Sequence, residues 1–374
     1  MPGQDYIRLL SALLADDVAA VAKRVQATNF EFEQFRAFTD IHQLSGYLFL
    51  HIKGGPLEGQ FPPEQLEYLG GRYALQRQRC DEILLEAAHI QDTFKAAHQS
   101  VLFLKGLFVA QQFYGDMHQR FHWDIDILVP REDVLAADQL LRGLGYGKLS
   151  LVLVGNNAMT RFTHTYDYHK RIAGPDQSVH RQYLPLDLHW SLRSHFSFCL
   201  EYENIWKQHE ECQLQGRSFP VLSTEYALVM NVLGIFCDIE LGTTRLKSFL
   251  DLYKMLDAVD SGMDWDAFFE QRTNENIFRI VLNVIDLLLD VLECRNRFTR
   301  AASFVERHRS FIRLGNRADK YRLLERSRFS FQGRLWAHAL YQAPVLQPFL
   351  WTMISLPFRI AAHERKLIKL MGRM

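Results

Sequence analysis

Three aspartates in two short apolar segments carry the most specific chemical signal of this sequence. Asp124 and Asp126 lie within residues 121–130, and Asp187 lies within residues 185–190. Side chains alternate along a β-strand, so Asp124 and Asp126 are expected on one face, roughly 7 Å apart. Flexible carboxylates at that spacing can bind one magnesium ion, or two ions about 4 Å apart. The pattern predicts a divalent metal site, and the alternative is a half-exposed strand with solvated acids.

A Lys-Gly pair at the end of a predicted strand indicates phosphate binding. Lys105 and Gly106 follow the apolar residues 101–104 and precede a helical pattern over residues 107–114. Glycine lets a backbone approach a ligand closely, and a helix N-terminus offers unpaired N–H groups to phosphate. Taken alone, such a pair at a strand end is common. Together with the carboxylates, it is what a metal-dependent enzyme acting on a nucleoside triphosphate needs.

Four further side chains are candidates for contacts with a nucleotide. Arg120 precedes the aspartates and could meet phosphate, with a solvated loop arginine as the alternative. His189 is predicted on the same strand face as Asp187, where a nucleotide-binding or acid–base role competes with a structural one. Arg245 and Lys247 could reach the base or the triphosphate, and the alternative is an exposed ion pair within one helix, which has a small energetic value.

The ordered set of these motifs resembles the bacterial family of uncharacterised nucleotidyltransferases, a divergent branch of the DNA polymerase β-like superfamily. The resemblance covers about residues 30–260 and is carried by Leu-Lys-Gly (104–106), Tyr114, Arg120, Asp-Ile-Asp-Ile-Leu-Val (124–129), Gly145-Tyr146 and Leu-Asp-Leu-His-Trp (186–190).

This resemblance implies a chemistry for the site. Two Mg²⁺ ions, with Mn²⁺ as the alternative ion, would be held by Asp124 and Asp126, and Asp187 would be the third carboxylate. The implied reaction transfers a nucleoside monophosphate from a triphosphate such as ATP to a hydroxyl-bearing acceptor and releases pyrophosphate. The wider superfamily has Gly-Ser where this chain has Lys105-Gly106. The alternative function is therefore a non-catalytic nucleotide-binding or scaffold protein, acting in polysaccharide or peptide-product biosynthesis.

Hydrophobic periodicity and the resemblance together predict an α+β protein, with a small mixed β-sheet core between helical regions. The expected divisions are an N-terminal helical region (1–95), the α/β core (96–222), a helical subdomain packed on the core (223–300) and a basic helical segment (301–374). Inside the core, further strands are expected at residues 149–154 and 160–170, followed by a hairpin loop at residues 171–183.

Charge is distributed unevenly along a chain whose net charge is zero. Residues 295–374 contain 14 Arg and 3 Lys against 4 acidic residues, a balance of +13, so residues 1–294 carry −13. This basic end predicts contact with nucleic acid or an anionic membrane surface, or docking on the acidic remainder of the chain. Residues 340–374 combine apolar, aromatic and basic side chains with prolines, which favours an interfacial membrane anchor over a membrane-spanning helix.

The remaining features concern location and partners. No secretory leader pattern begins the chain, and the 5 cysteines are scattered without Cys-x-x-Cys spacing. We therefore expect a cytoplasmic protein, peripheral to the inner face of the membrane, with no disulfide partner. The expected partners are a nucleoside triphosphate and an acceptor, which could be a small molecule, a peptide, a protein or RNA.

Overall fold

The structure is a computed structural model that describes residues 2–27, 30–148, 164–172, 183–193, 198–324 and 331–341. Its α-helices are α1 (Pro2–Leu14), α2 (Val18–Val25), α3 (Phe32–His42), α4 (Ser45–Ile52), α5 (Pro63–Ala96), α6 (Leu107–Tyr114), α7 (Val134–Gly143), α8 (Tyr202–Lys207), α9 (Thr224–Leu241), α10 (Leu246–Val259), α11 (Trp265–Asn274), α12 (Phe278–Val291), α13 (Thr299–Arg307), α14 (Arg317–Leu323) and α15 (Phe331–Leu340). Its strands are β1 (Leu102–Phe103), β2 (Ile125–Leu128), β3 (Gly147–Lys148), β4 (Thr165–Arg171), β5 (Tyr183–His189), β6 (Glu210–Leu214) and β7 (Arg217–Val221).

The chain folds into two compact units. The first unit comprises Met1–Asp81, Leu107–His122 and Thr224–Leu340, and the second comprises Glu82–Gly106, Trp123–Ser223 and Tyr341–Met374. The boundary between residues 81 and 82 falls within α5. The four divisions expected from the sequence remain a prediction.

The second unit is built on one mixed sheet with the strand order β3-β4-β5-β2-β1-β7-β6. The pairs β2–β5 and β1–β7 are parallel, and the other neighbours are antiparallel. This sheet, together with the helices, confirms the predicted α+β class. The register places Asp126 opposite Asp187, and Asp187 opposite Asp167 on β4.

Helices cover one face of this sheet. Tyr168 on β4 donates a hydrogen bond to Asp138 on α7, and Lys170 contacts Glu86 on α5 at 2.8 Å. Because side chains alternate, residues 165, 167 and 169 of β4 point to the opposite face. The same alternation separates Leu186 and Leu188, both fully buried, from Asp187 and His189. The sheet thus has an apolar, helix-covered face and a face that carries the acidic residues.

Most strands predicted around the acidic motifs are confirmed. The expected strand over residues 160–170 appears as β4 in its described part, and the antiparallel pairing of Arg171 with Tyr183 confirms the hairpin. The predicted strand at 149–154, most of the hairpin loop and nearly all of the predicted anchor at 340–374 lie outside the described residues.

The first unit is helical around α12, which packs against α9, α13 and α14. One buried cation of this interior is paired with two carboxylates. Lys320, only 3% exposed, donates to Asp286 and Asp290 on α12. None of the helices in the described part of the chain combines the length and the apolar character that crossing a membrane requires.

A buried histidine in the first unit makes stability depend on pH. His122 donates from Nδ1 to the Arg120 carbonyl at 3.0 Å, and burial lowers its pKa to about 3. The unfolded chain binds this proton near pH 6.5, whereas the folded chain does not. Stability should therefore fall as pH decreases from about 6.5, by up to about 1.4 kcal/mol per pH unit for this group.

Denaturant unfolding between pH 7 and pH 4.5 measures the effect. His122→Gln removes the titrating group and should have a shallower loss of stability with falling pH than the wild type. The control is His209→Gln, because the side chain of His209 is 41% exposed. Parallel curves for the wild type and His122→Gln would contradict the interpretation.

Candidate metal and nucleotide site

The acidic face of the sheet brings three potential ligands together. Asp126 lies on β2 and Asp187 lies opposite it on the parallel neighbour β5, two residues before His189. One ligand atom from each of these three side chains lies within 4.8 Å of the others. Asp126 is 7% exposed and His189 is 3% exposed, so the group is largely shielded from solvent.

Two donors meet one oxygen of the Asp126 carboxylate. Lys105 Nζ lies 3.0 Å from Asp126 Oδ1, and His189 Nε2 lies 3.0 Å from the same atom. Burial acts to raise the pKa of Asp126, but the Lys105 charge and the His189 hydrogen bond outweigh it and hold the pKa below its usual value. Asp126 is therefore a carboxylate in neutral solution and can only accept hydrogen bonds.

The protonation of His189 follows from this partner. Because a carboxylate only accepts, Nε2 must carry the hydrogen in the bond to Asp126. Burial lowers the pKa of His189, so the ring is neutral and Nδ1 holds a lone pair. Nδ1 is buried and accepts no hydrogen bond from the described residues. A neutral imidazole with an available lone pair is a common metal ligand.

These residues fit a divalent cation. Carboxylate oxygens suit Mg²⁺ and Mn²⁺, and a neutral imidazole suits transition-metal ions. Buried carboxylates need a compensating positive charge, and Lys105 supplies one at Asp126. The same oxygen that would bind a metal ion therefore meets a lysine in this structure.

Two other predicted site residues of the second unit, Asp124 and Gly106, lie outside the group of Asp126, Asp187 and His189. Asp124 is half-buried immediately before β2, and the three-residue group does not include it. Gly106 has φ +67°, a left-handed conformation that favours glycine, directly before α6.

Three predicted nucleotide contacts lie in the first unit. Arg120 forms a two-pronged ion pair with Asp251, with N–O distances of 2.7 and 2.9 Å, and Tyr114 donates to Asp251 at 2.7 Å. Lys247 lies over the Phe121 ring, 5.7 Å from its centroid. Arg245 is the residue before α10. The assignment of Arg120, Arg245 and Lys247 to nucleotide binding stays a prediction.

Strand pairing reveals one carboxylate that the sequence reasoning missed. Asp167 on β4 is paired with Asp187, so Asp126, Asp187 and Asp167 form one row across three strands. Paired residues on neighbouring strands point to the same face, with Cβ atoms about 5 Å apart. The alternation of polar Thr165, Asp167 and His169 with aromatic residues was the available signal.

Lys105 is expected to compete with a metal ion for Asp126. Lys105→Met should bind Mn²⁺ more tightly than the wild type without nucleotide, on the order of fivefold or about 1 kcal/mol, because the ammonium no longer occupies Asp126 Oδ1. Calorimetric titration with Mn²⁺ measures this. Lys207→Met is the control, since the Lys207 side chain is 71% exposed. Equal affinities of Lys105→Met and the wild type would rule out the competition.

Arg120 is expected to act mainly on stability. Arg120→Met leaves the buried Asp251 carboxylate without its cation and should lower the free energy of unfolding by about 3 kcal/mol. The control Arg142→Met removes an ion pair whose arginine is 56% exposed, and should leave the free energy of unfolding close to that of the wild type. Denaturant unfolding compares the two. Wild-type stability of Arg120→Met, combined with weaker nucleotide binding, would instead favour the predicted phosphate contact.

Comparisons with known proteins identify the family of the chain. The chain is similar to a solved structure of an antigenic nucleotidyltransferase-like protein from Paracoccidioides brasiliensis, at 13% identity and a TM-score of 0.37, over 60% of this chain and 93% of that one. No match was found among curated proteins. The model of a family described as uncharacterised nucleotidyltransferase matches residues 28–292, which confirms the resemblance noted in the sequence. The chain belongs to this nucleotidyltransferase family.

Proposed function

We propose that the protein transfers a nucleoside monophosphate from a nucleoside triphosphate to a hydroxyl-bearing acceptor, with release of pyrophosphate, in a reaction that depends on a divalent metal. Membership of a nucleotidyltransferase family supports the transfer of a nucleotidyl group. The observation that carries the proposal is the strand-paired couple of Asp126 and Asp187, held with His189 within 4.8 Å. Binding of a nucleotide without metal would not require a second carboxylate beside Asp126.

We propose that two divalent ions, either Mg²⁺ or Mn²⁺, are held by Asp124, Asp126 and Asp187. When bound, such ions neutralise the triphosphate and polarise the phosphorus that is attacked. The Gly106 backbone and Lys105 are proposed to contact the triphosphate. Lys105 is suited to this role because its side chain is 31% exposed and its ammonium group lies 3.0 Å from Asp126 Oδ1.

The reaction balances without another reactant. The acceptor hydroxyl oxygen forms a bond to the α-phosphorus, and the bond from that phosphorus to the oxygen of the leaving pyrophosphate breaks. Asp187 is proposed to take the hydroxyl proton, since it is less buried than Asp126 and is a carboxylate on the same face. Positioning and charge neutralisation, rather than a covalent intermediate on the protein, account for the rate in this scheme.

A second candidate is a nucleotide-binding protein that does not catalyse transfer. The specific observation in its favour is the Lys105–Asp126 contact of 3.0 Å, which neutralises the carboxylate without a metal. The two candidates differ in one measurable property. Nucleotide affinity of the catalyst depends on Mg²⁺, whereas affinity of the binding-only protein is the same with and without it.

The acceptor and the location are also proposals. We propose that the acceptor belongs to one of four classes. It is a small molecule such as a sugar, or a peptide, or a protein, or the end of an RNA chain. Residues 340–374 are proposed to contact an anionic membrane surface from the cytoplasm. Sedimentation with anionic vesicles of the full chain, and of a chain ending at Tyr341, tests this contact. Equal sedimentation of the two would remove it.

The test of the proposed function is calorimetric titration with ATP, GTP, CTP and UTP, with and without Mg²⁺. One nucleotide should bind the wild type in a Mg²⁺-dependent manner, and Asp126→Asn should weaken that binding by roughly 100-fold, because it removes a charged metal ligand. Asp124→Asn should abolish turnover while the protein stays folded.

Asp92→Asn is the matched control, since the Asp92 side chain is 60% exposed and lies in the same unit. It should bind nucleotide as the wild type does. Turnover by Asp124→Asn at the wild-type rate, or identical nucleotide affinity of Asp126→Asn and the wild type, would contradict the proposal.

A further inference from the structure

The Lys105 side chain adjoins both parts of the proposed site. Its Nζ lies 3.0 Å from Asp126 Oδ1, and the residue after it is Gly106, which has a left-handed φ of +67°. The backbone beside Lys105 is held in place, because the Leu104 N–H donates to the Asp126 carbonyl at 3.0 Å. The lysine stem is flexible and the side chain is 31% exposed, so the ammonium can move while the backbone stays.

One oxygen of Asp126 already has two donors. Lys105 Nζ and His189 Nε2 both lie 3.0 Å from Oδ1, and a carboxylate oxygen offers about two acceptor positions. A cation that binds this oxygen therefore replaces one of the two donors. The His189 side chain is only 4% exposed, whereas Lys105 is part-exposed on a long stem, so Lys105 is the donor that leaves. A divalent ion on the other oxygen of Asp126 would lie close to the ammonium and be repelled by it.

Opening the contact between Lys105 and Asp126 separates two charges, and the cost depends on what each charge meets next. Asp126 is 7% exposed, and a buried carboxylate without a cation is strongly disfavoured. A polyphosphate chain at the Lys105-Gly106 turn would give the ammonium a new anion, since phosphate oxygens accept charge-assisted hydrogen bonds from lysine. Two ligands of opposite charge are therefore needed to satisfy both groups at once.

We propose that Lys105 couples the binding of a divalent cation at the carboxylates to the binding of the polyphosphate chain of a nucleoside triphosphate, by moving from Asp126 to phosphate. While Lys105 contacts Asp126, a cation meets a neutralised carboxylate and binds weakly. When Lys105 contacts phosphate instead, Asp126 is open. Each ligand therefore raises the affinity for the other by the same factor, because coupling free energies are reciprocal. The inference rests on the proposed function in taking Asp126 as a metal ligand and the Lys105-Gly106 turn as a phosphate contact.

The size of this coupling follows from the competition at Asp126. If Lys105→Met binds Mn²⁺ on the order of fivefold more tightly without nucleotide, about one fifth of the wild type has an open Asp126 before any ligand binds. Polyphosphate removes this restriction from the wild type, whereas Lys105→Met has none to remove. Direct contact between the cation and phosphate contributes equally to both proteins. The coupling in Lys105→Met should therefore be about fivefold smaller than in the wild type.

Calorimetric titration with Mn²⁺, without and with saturating inorganic tripolyphosphate, measures the coupling. This probe carries the charge of a triphosphate but no base or sugar. The coupling factor is the ratio of the two Mn²⁺ affinities, and the Mn²⁺–tripolyphosphate complex in solution cancels when two proteins are compared. Lys105→Met should have the roughly fivefold smaller factor. Lys105→Arg keeps a cation and should retain most of the coupling, and the control Lys207→Met, at a side chain that is 71% exposed, should match the wild type.

Two results of this titration would overturn the inference. The first is an equal coupling factor in Lys105→Met and the wild type. Combined with weaker tripolyphosphate binding by Lys105→Met, that result would make Lys105 a phosphate contact only. The second is the absence of any coupling between Mn²⁺ and tripolyphosphate in the wild type.

A measurement on the wild type keeps the test valid even if Lys105→Met does not fold. Acetylation by acetic anhydride, followed by mass spectrometry, reports how accessible the Lys105 amine is. Mn²⁺ alone should speed acetylation of Lys105, because its contact with Asp126 opens, and Mn²⁺ with tripolyphosphate should slow it again. Lys207 is the internal control and should react at one rate throughout, since its side chain is 71% exposed. An unchanged rate at Lys105 on addition of saturating Mn²⁺ would overturn the inference.

The outcomes also separate this inference from the proposed function. Mg²⁺-dependent binding and transfer of a nucleoside triphosphate, with equal coupling factors in Lys105→Met and the wild type, would remove the coupling and leave the nucleotidyltransferase in place. Coupling of Mn²⁺ and tripolyphosphate through Lys105, in a protein that binds none of the four nucleoside triphosphates, would support the inference and remove the proposed function.

Discussion

The site depends on the charge of one buried carboxylate. Asp126 is 7% exposed, and an isolated ion at such a position would be strongly disfavoured. Lys105 and His189 both contact Asp126 Oδ1 at 3.0 Å and keep the group ionised. Lys105 follows β1, and His189 lies on β5. Their contacts with Asp126 on β2 therefore connect three neighbouring strands. A cation at this point is required by electrostatics, and Lys105 fills that requirement in the structure.

The register of the strands places further carboxylates beside Asp126. The parallel pairing of β2 with β5 sets Asp126 opposite Asp187, and the antiparallel pairing of β5 with β4 sets Asp187 opposite Asp167. A slip of one residue would turn Asp187 into the apolar face and bring Leu186 or Leu188 to the acidic side. Because those leucines are fully buried, the hydrophobic core itself fixes the register that aligns the carboxylates.

Local patterns predicted the elements around the site, whereas long-range pairing determined the contacts. Alternating apolar residues were sufficient to place β2 and β5, and a helical pattern after Lys105-Gly106 was sufficient to place α6. The sequence could not indicate that Asp251, 131 positions away, would bind Arg120, since such a partner is brought close only by the tertiary fold. The hairpin of β6 and β7 was not predicted, because its turn at Gln215 and Gly216 uses positive φ values of 46° and 80° without the usual Asn-Gly or Asp-Gly signal.

We propose that the buried carboxylate group around Asp126 is a preformed cation site, in which the Lys105 ammonium occupies the place of a metal ion. Crystals of the protein soaked in Mn²⁺, with diffraction data collected at the manganese absorption edge, test it most directly. We expect an anomalous peak beside Asp126 and Asp187, with the Lys105 ammonium moved away from Asp126 Oδ1. Lys105 still in contact with Asp126, and no peak beside the two carboxylates, would contradict this proposal.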